Sequence, residues 1–192
     1  MKTSRERILN SLREAGVEKI ELPKTQFQEG YSSLELKFLE MANKSGMEIM
    51  ESPGIDLMEV LNSLSLNKNV QSAIEEHQPY FPMLFKEEEI FDQDKIPDIF
   101  VCEARFGVSE NAALWLDDEV LPSRILGFLP EEIIILLDRM ELVPTMHEAY
   151  ELVEKLDYTY GLFLAGPSKT ADIEQTLVTG AQGAKRIKIF LS

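Results

Sequence analysis

The chain has 192 residues, 44% of them hydrophobic and 28% charged, which suits one domain with a sizeable core and no need of disulfide or metal staples. Nineteen Lys and Arg against 34 Asp and Glu leave a formal charge of −15, a field that repels nucleic acid and anionic membrane. One cysteine, Cys102, excludes an internal disulfide, and with two histidines it makes no cluster for zinc or iron–sulfur. The opening MKTSRERILNSLREAG lacks an apolar signal region, and no later run approaches the ~18 apolar residues of a membrane span. A soluble, acidic, cytoplasmic protein is the expectation. Residues 25–165 alone carry −19 while both ends are basic, which reads as a solvated acidic surface.

The first half reads as helices closed by stop signals. Thr3 with Glu6 forms a capping box ahead of Ile8, Leu12 and Ala15, and Gly16 ends the stripe. Ser32 with Glu35 repeats the pattern up to Gly46, and residues 47–50 are short enough for a strand. Asp56 with Glu59 caps a third helix, whose Leu57, Val60, Leu61 and Leu64 share one face. Residues 75–97 mix proline, acids and aromatics without period and read as an irregular excursion, a lid or an oligomer contact.

The second half predicts strands over 99–102, 113–116, 133–137, 161–165 and 187–191. The 133–137 run is continuously apolar, as a strand covered on both faces must be. Between them, Thr145 with Glu148 caps a helix carrying Ala149, Leu152, Val153 and Leu156, and a further helix is expected over 170–179 with Gly180 after it. Alternation of strand and helix predicts an α/β fold, a mostly parallel Rossmann-like sheet with helices on both faces.

The segment from Leu164 to Gly180, LAGPSKTADIEQTLVTG, is the richest in chemistry. Gly166 allows close backbone approach, Pro167 stiffens the turn, and Ser168, Lys169 and Thr170 supply hydroxyls and a cation. A following helix N-terminus would attract an anion, yet Asp172 and Glu174 oppose a phosphate, and neither glycine-rich nucleotide fingerprint is present. A capped β–α turn and a site for a small hydroxy acid both remain open. His77 and His147 have no nucleophile at a readable spacing, and Cys102 and Trp115 read as core.

Residues 166–178, GPSKTADIEQTLV, with Gly180 and Gly183, resemble the signature of the LUD-domain family, the lactate-utilisation protein C family. Arg124, then Phe128-Leu129-Pro130 and the apolar 133–137 run, are similar to a second block of that family. The resemblance covers 99–192 within a single domain over 1–192, residues 1–98 being a divergent half without a motif. It implies a fold of the NagB/RpiA/CoA-transferase type. It also implies a role in oxidising L-lactate to pyruvate, beside partner subunits that carry iron–sulfur clusters, with no cofactor on this chain. Ser109-Glu110-Asn111-Ala112-Ala113 replaces the family's Ala-Glu-Thr-Gly-Thr, and Gln182 replaces a histidine. Ser109-Glu110-Asn111 is also similar to the segment around the nucleophilic glutamate of some CoA-transferases, which makes Glu110 the catalytic candidate.

The ligand-binding candidates are therefore Gly166, Ser168, Lys169, Thr170, Asp172, Glu174, Asn111 and Arg124, with no metal site. Three functions follow from these residues: an accessory or ligand-binding subunit of lactate oxidation, an acyl or CoA transferase or hydrolase acting through Glu110, or a regulatory module without chemistry. Sheet edges and the 75–97 segment admit a homo-oligomer.

Overall fold

The computed structural model of the protein describes residues 4–14, 33–52, 54–86, 92, 95–171, 177–180 and 183–192. Thr3, Ala15, Gly16, Ser32, Asp172, Glu174 and Gln182 lie outside them. Two compact units are present, Met1–Gly30 and Tyr31–Ser192. In the first, α1 (Ser4–Glu14) leaves Ile8 and Leu9 largely exposed.

The second unit begins with α2 (Leu34–Ser45), whose N-cap is Ser33, accepting the Leu36 N–H, one residue later than the predicted Ser32. Gly46 closes it in the left-handed region (φ 86°), and the next N–H, of Met47, returns to the Ala42 carbonyl. Strand β1 (Glu48–Glu51) follows, then α3 (Leu57–Ser65), capped as predicted by Asp56. The remaining strands of the main sheet are β2 (Val70–Ser72), β3 (Ile99–Glu103), β6 (Glu132–Leu137) and β11 (Arg186–Leu191). Their order is β1-β11-β6-β3-β2, and every pair is parallel.

Alternation along these strands sorts the core into two layers. Phe100, Cys102, Ile133, Ile135, Ile187 and Ile189 pack with Phe38 and Ala42 of α2. Ile99, Val101, Ile134 and Phe190 turn the other way, onto Leu57 and Leu61 of α3. Helices thus cover both faces, and the runs had to be apolar at every position rather than at alternate ones.

A second, four-stranded sheet packs on the α2 side. It contains β4 (Phe106–Val108), β5 (Ala113–Asp117), β7 (Leu142–Val143) and β8 (Gly161–Leu164), and its far face buries Phe106 and Trp115 against Ala149 and Val153 of α4 (Met146–Val153). Strand β8 therefore does not join the parallel sheet, as the strand–helix rhythm suggested; it pairs antiparallel with β5. The helix expected over 170–179 is also replaced. Residues Lys169–Ala171 and Leu177–Thr179 form an antiparallel pair of strands, β9 and β10.

Within the irregular 75–97 segment, residues 75–86 are anchored to the sheet, while 87–91 and 93–94 lie outside the described residues. Phe81 and Phe85 are buried, and the Gln71 side-chain oxygen accepts from the Leu84 and Phe85 N–H groups at 3.0 and 2.9 Å. One buried carboxylate stands out: Glu132 is 1% exposed and meets Arg186 Nε at 2.7 Å and Lys188 Nζ at 2.9 Å.

Candidate functional site

The signature turn leaves the end of β8 and folds back on the C-terminus of α2. Gly166 has φ 103°, and a Cβ there would stand 2.9 Å from the Ser45 carbonyl oxygen, so only glycine fits. Lys169 donates through Nζ to that same carbonyl, a cation on the negative end of the helix. The ammonium expected to serve a ligand is thus committed to α2. The Ser168 N–H donates to the Ala184 carbonyl at 2.9 Å, and the Ser168 carbonyl accepts from Gly180 at 2.8 Å. Gly183 lies against Ser168, where a Cβ would come within 3.1 Å of the Ser168 Cβ.

These contacts leave a pocket of about 240 Å³. Gly166, Ser168, Lys169 and Gly183 form its polar side, and Phe128, Leu164 and Ile187 its apolar side. It lies at the amino edge of the parallel sheet, since Lys185 and Arg186 hydrogen-bond to the Glu131 carbonyl just before β11 and β6 begin. The helix-based anion site expected in this segment loses its basis with the helix. Thr170 sits in β9, while Asp172 and Glu174 lie outside the described residues. Phe128 and Ile187 also line the pocket; spacing alone marks neither, and Phe128 enters the sequence argument only through its similarity to the second family block.

Glu110, Asn111 and Arg124 occupy different places. The turn 109–112 joins β4 to β5, and Glu110 Oε2 accepts the Met146 N–H at 2.9 Å, supporting the first turn of α4. Asn111 Oδ1 accepts from the Ala113 N–H at 3.0 Å, and Ala112 takes φ 56°, where a glycine would be unstrained. Ser109 beside them is fully buried with no hydrogen-bond partner for its hydroxyl among the described residues. Arg124 lies over the Tyr160 ring at 5.2 Å. None of the three lines the signature pocket, although the short segment Arg124–Gly127 carries Gly127 into it.

Two isolated groups complete the chemistry. Burial pushes the Cys102 thiol far up, so it stays protonated and inert. His77 Nδ1 lies 3.1 Å from the Ser72 hydroxyl, a pairing no spacing announced. Burial lowers the His77 pKa, against the raising influence of Glu76 and Glu103. Both side chains are shut from solvent, and Ser72 also accepts the Ile74 N–H at 3.1 Å, as a structural hydroxyl does.

A parallel five-stranded sheet with helices on both faces, a second sheet beside it, and a small pocket closed by a Gly-Pro-Ser-Lys turn define a mixed α/β fold. The chain belongs to the LUD domain family, whose family model matches residues 5–192. The match therefore runs on through the N-terminal half, where no motif was legible. Lactate utilization protein C 1 of Bacillus mycoides (strain KBAB4) is 25% identical over 203 residues, covering 88% of this chain and 86% of that protein. Lactate utilization protein C of Bacillus pumilus (strain SAFR-032) is 33% identical over 92 residues, 45% of this chain and 38% of that protein. A DUF162 family protein from Deinococcus radiodurans, known from its crystal structure, superposes with a TM-score of 0.56 at 14% identity. The superposition covers 82% of this chain and 95% of that one, and it shows the shared fold.

Proposed function

We propose that this chain serves lactate utilisation as an accessory, ligand-binding subunit, taking a small hydroxy-carboxylate in the signature pocket. The observation that carries the reading is the convergence of the signature residues Gly166, Ser168 and Lys169 with Gly183 and Phe128 around one small cavity. The Ser168 hydroxyl and the neighbouring Lys169 charge suit a carboxylate, and Phe128, Leu164 and Ile187 suit a short apolar carbon. Thr170, Asp172 and Glu174 of the same signature belong to the proposed set. Relatives carrying the name lactate utilization protein C support the substrate class.

Oxidising L-lactate to pyruvate removes two electrons and two protons. The proposal places these electrons on iron–sulfur clusters in partner subunits, in keeping with a chain whose single cysteine, Cys102, is buried in β3 and cannot by itself hold a cluster. The acyl-transfer reading has less support, because the Glu110 carboxylate is already engaged by the α4 amide. The test is purification of the tagged chain from its native cells, with iron content and lactate-dependent dye reduction as readouts. The expected result is co-purifying iron–sulfur subunits and a reduction rate that collapses when Ser168→Ala replaces the wild type. Absence of iron-containing partners, or a rate indifferent to this chain, would refute it.

A further inference from the structure

We propose that a second ligand site lies at the opposite, carboxyl edge of the parallel sheet and takes a small protonated amine with an apolar body. A groove of about 710 Å³ opens there, within the roughly 300–1,000 Å³ usual for small-molecule sites and about three times the signature pocket. It is bounded by the ends of β3, β6 and β11, where open parallel sheets bind ligands.

The floor is apolar: Phe106 is buried, and half-buried Leu136, Leu152 and Leu156 add aliphatic surface from β6 and the end of α4. Polar character comes from the rim. Glu103 and Glu141 carry no ion pair among the described residues, and Asp138 accepts the Met140 N–H at 2.8 Å. Arg105 is the nearest cation, but it is bound to Glu119 and lies 3.9 Å from Asp117, so its charge is already answered. Lys155 is left as the one unpaired cation of the lining among the described residues. Three carboxylates against one such ammonium, over a low-dielectric floor, set a negative potential in the groove. That potential repels carboxylates and phosphates, which keeps a hydroxy acid or acyl-CoA out, and attracts an ammonium whose apolar body covers the floor.

The site is independent of the proposed lactate pocket and stands or falls separately. The full chain is titrated calorimetrically with 2-phenylethylamine, with 2-phenylethanol and 3-phenylpropionate as neutral and anionic counterparts. Saturable amine binding is expected, with the alcohol about tenfold weaker and the acid weaker still, and with affinity falling as salt rises. The double variant Glu103→Gln/Asp138→Asn should weaken the amine about tenfold, Lys155→Met should tighten it about threefold, and Ser168→Ala should leave it unchanged. If the double variant does not fold, Glu141→Gln replaces it, with a loss of about threefold. No saturable amine binding, equal binding of the alcohol or the acid, acidic variants without effect, or weaker binding in Lys155→Met would each overturn the proposal.

Discussion

Gly166→Ala gives the sharpest test of how the signature turn is built. At φ 103° an L-residue sits in strained backbone, for which about 1–2 kcal/mol is the usual cost. The added Cβ would also stand 2.9 Å from the Ser45 carbonyl oxygen and 3.2 Å from the Ser45 Cβ, backbone and near-backbone atoms that cannot rotate aside. Forcing α2 to give way resembles overpacking, worth about 1–3 kcal/mol more, for a total near 2–5 kcal/mol. In a chain of this size each kcal/mol moves the thermal midpoint by about 2–4 °C, so a fall of about 4–20 °C is expected by circular dichroism. Gly54→Ala is the internal control: its Cβ would meet the Glu51 carbonyl at an ordinary 3.5 Å, and it should leave the midpoint unchanged or raise it slightly. A Gly166→Ala protein that melts with the wild type would refute the docking of this turn on α2.

Glu132→Gln should cost about 3 kcal/mol in urea unfolding, because it leaves Arg186 and Lys188 facing a neutral amide. Burial alone would raise the Glu132 pKa, but the Lys188 and Arg186 bonds outweigh it and hold it below the ordinary 4.5. Its stabilisation is therefore complete above that pH and is lost as pH falls through the lower folded value, an acid limb that should flatten in the variant. His77, lowered by burial, stabilises the fold fully above its ordinary 6.5 and loses that contribution as pH falls below it; His77→Gln should remove this part of the pH profile. Glu110→Ala should lower stability by about 0.5–2 kcal/mol, as loss of a helix N-terminal acceptor does, while lactate-dependent dye reduction persists at permissive temperature. Abolished reduction in a folded Glu110→Ala protein would restore its catalytic reading.

Much of the parallel sheet was legible because burial on both faces demands continuous apolar runs, and 133–137 and 187–191 are such runs. Caps at Asp56 and Thr145 were equally plain, since a side-chain acceptor at a helix start satisfies local backbone donors whatever the tertiary context. Strands β2 and β7, of three and two residues, are too short to express any period and are held by their neighbours. The partner of β8 was hidden for a different reason: nothing in its sequence distinguishes an antiparallel neighbour in a second sheet from a place in the first. The 170–179 segment misled because Thr170, Asp172 and Glu174 imitate a capped first turn, while Leu177–Thr179 pairs antiparallel with Lys169–Ala171. The contribution of Phe128 to the pocket depends on the chain returning past Gly183, a contact that no local pattern encodes.

The most direct test of the central reading is a titration of the isotope-labelled protein with L-lactate, followed by amide chemical shifts. Saturable changes confined to Gly127, Phe128, Gly166, Ser168 and Gly183, lost in a folded Ser168→Ala protein, are the expected result. No saturable change, or changes centred on Glu103 and Glu141 at the far edge of the sheet, would contradict it.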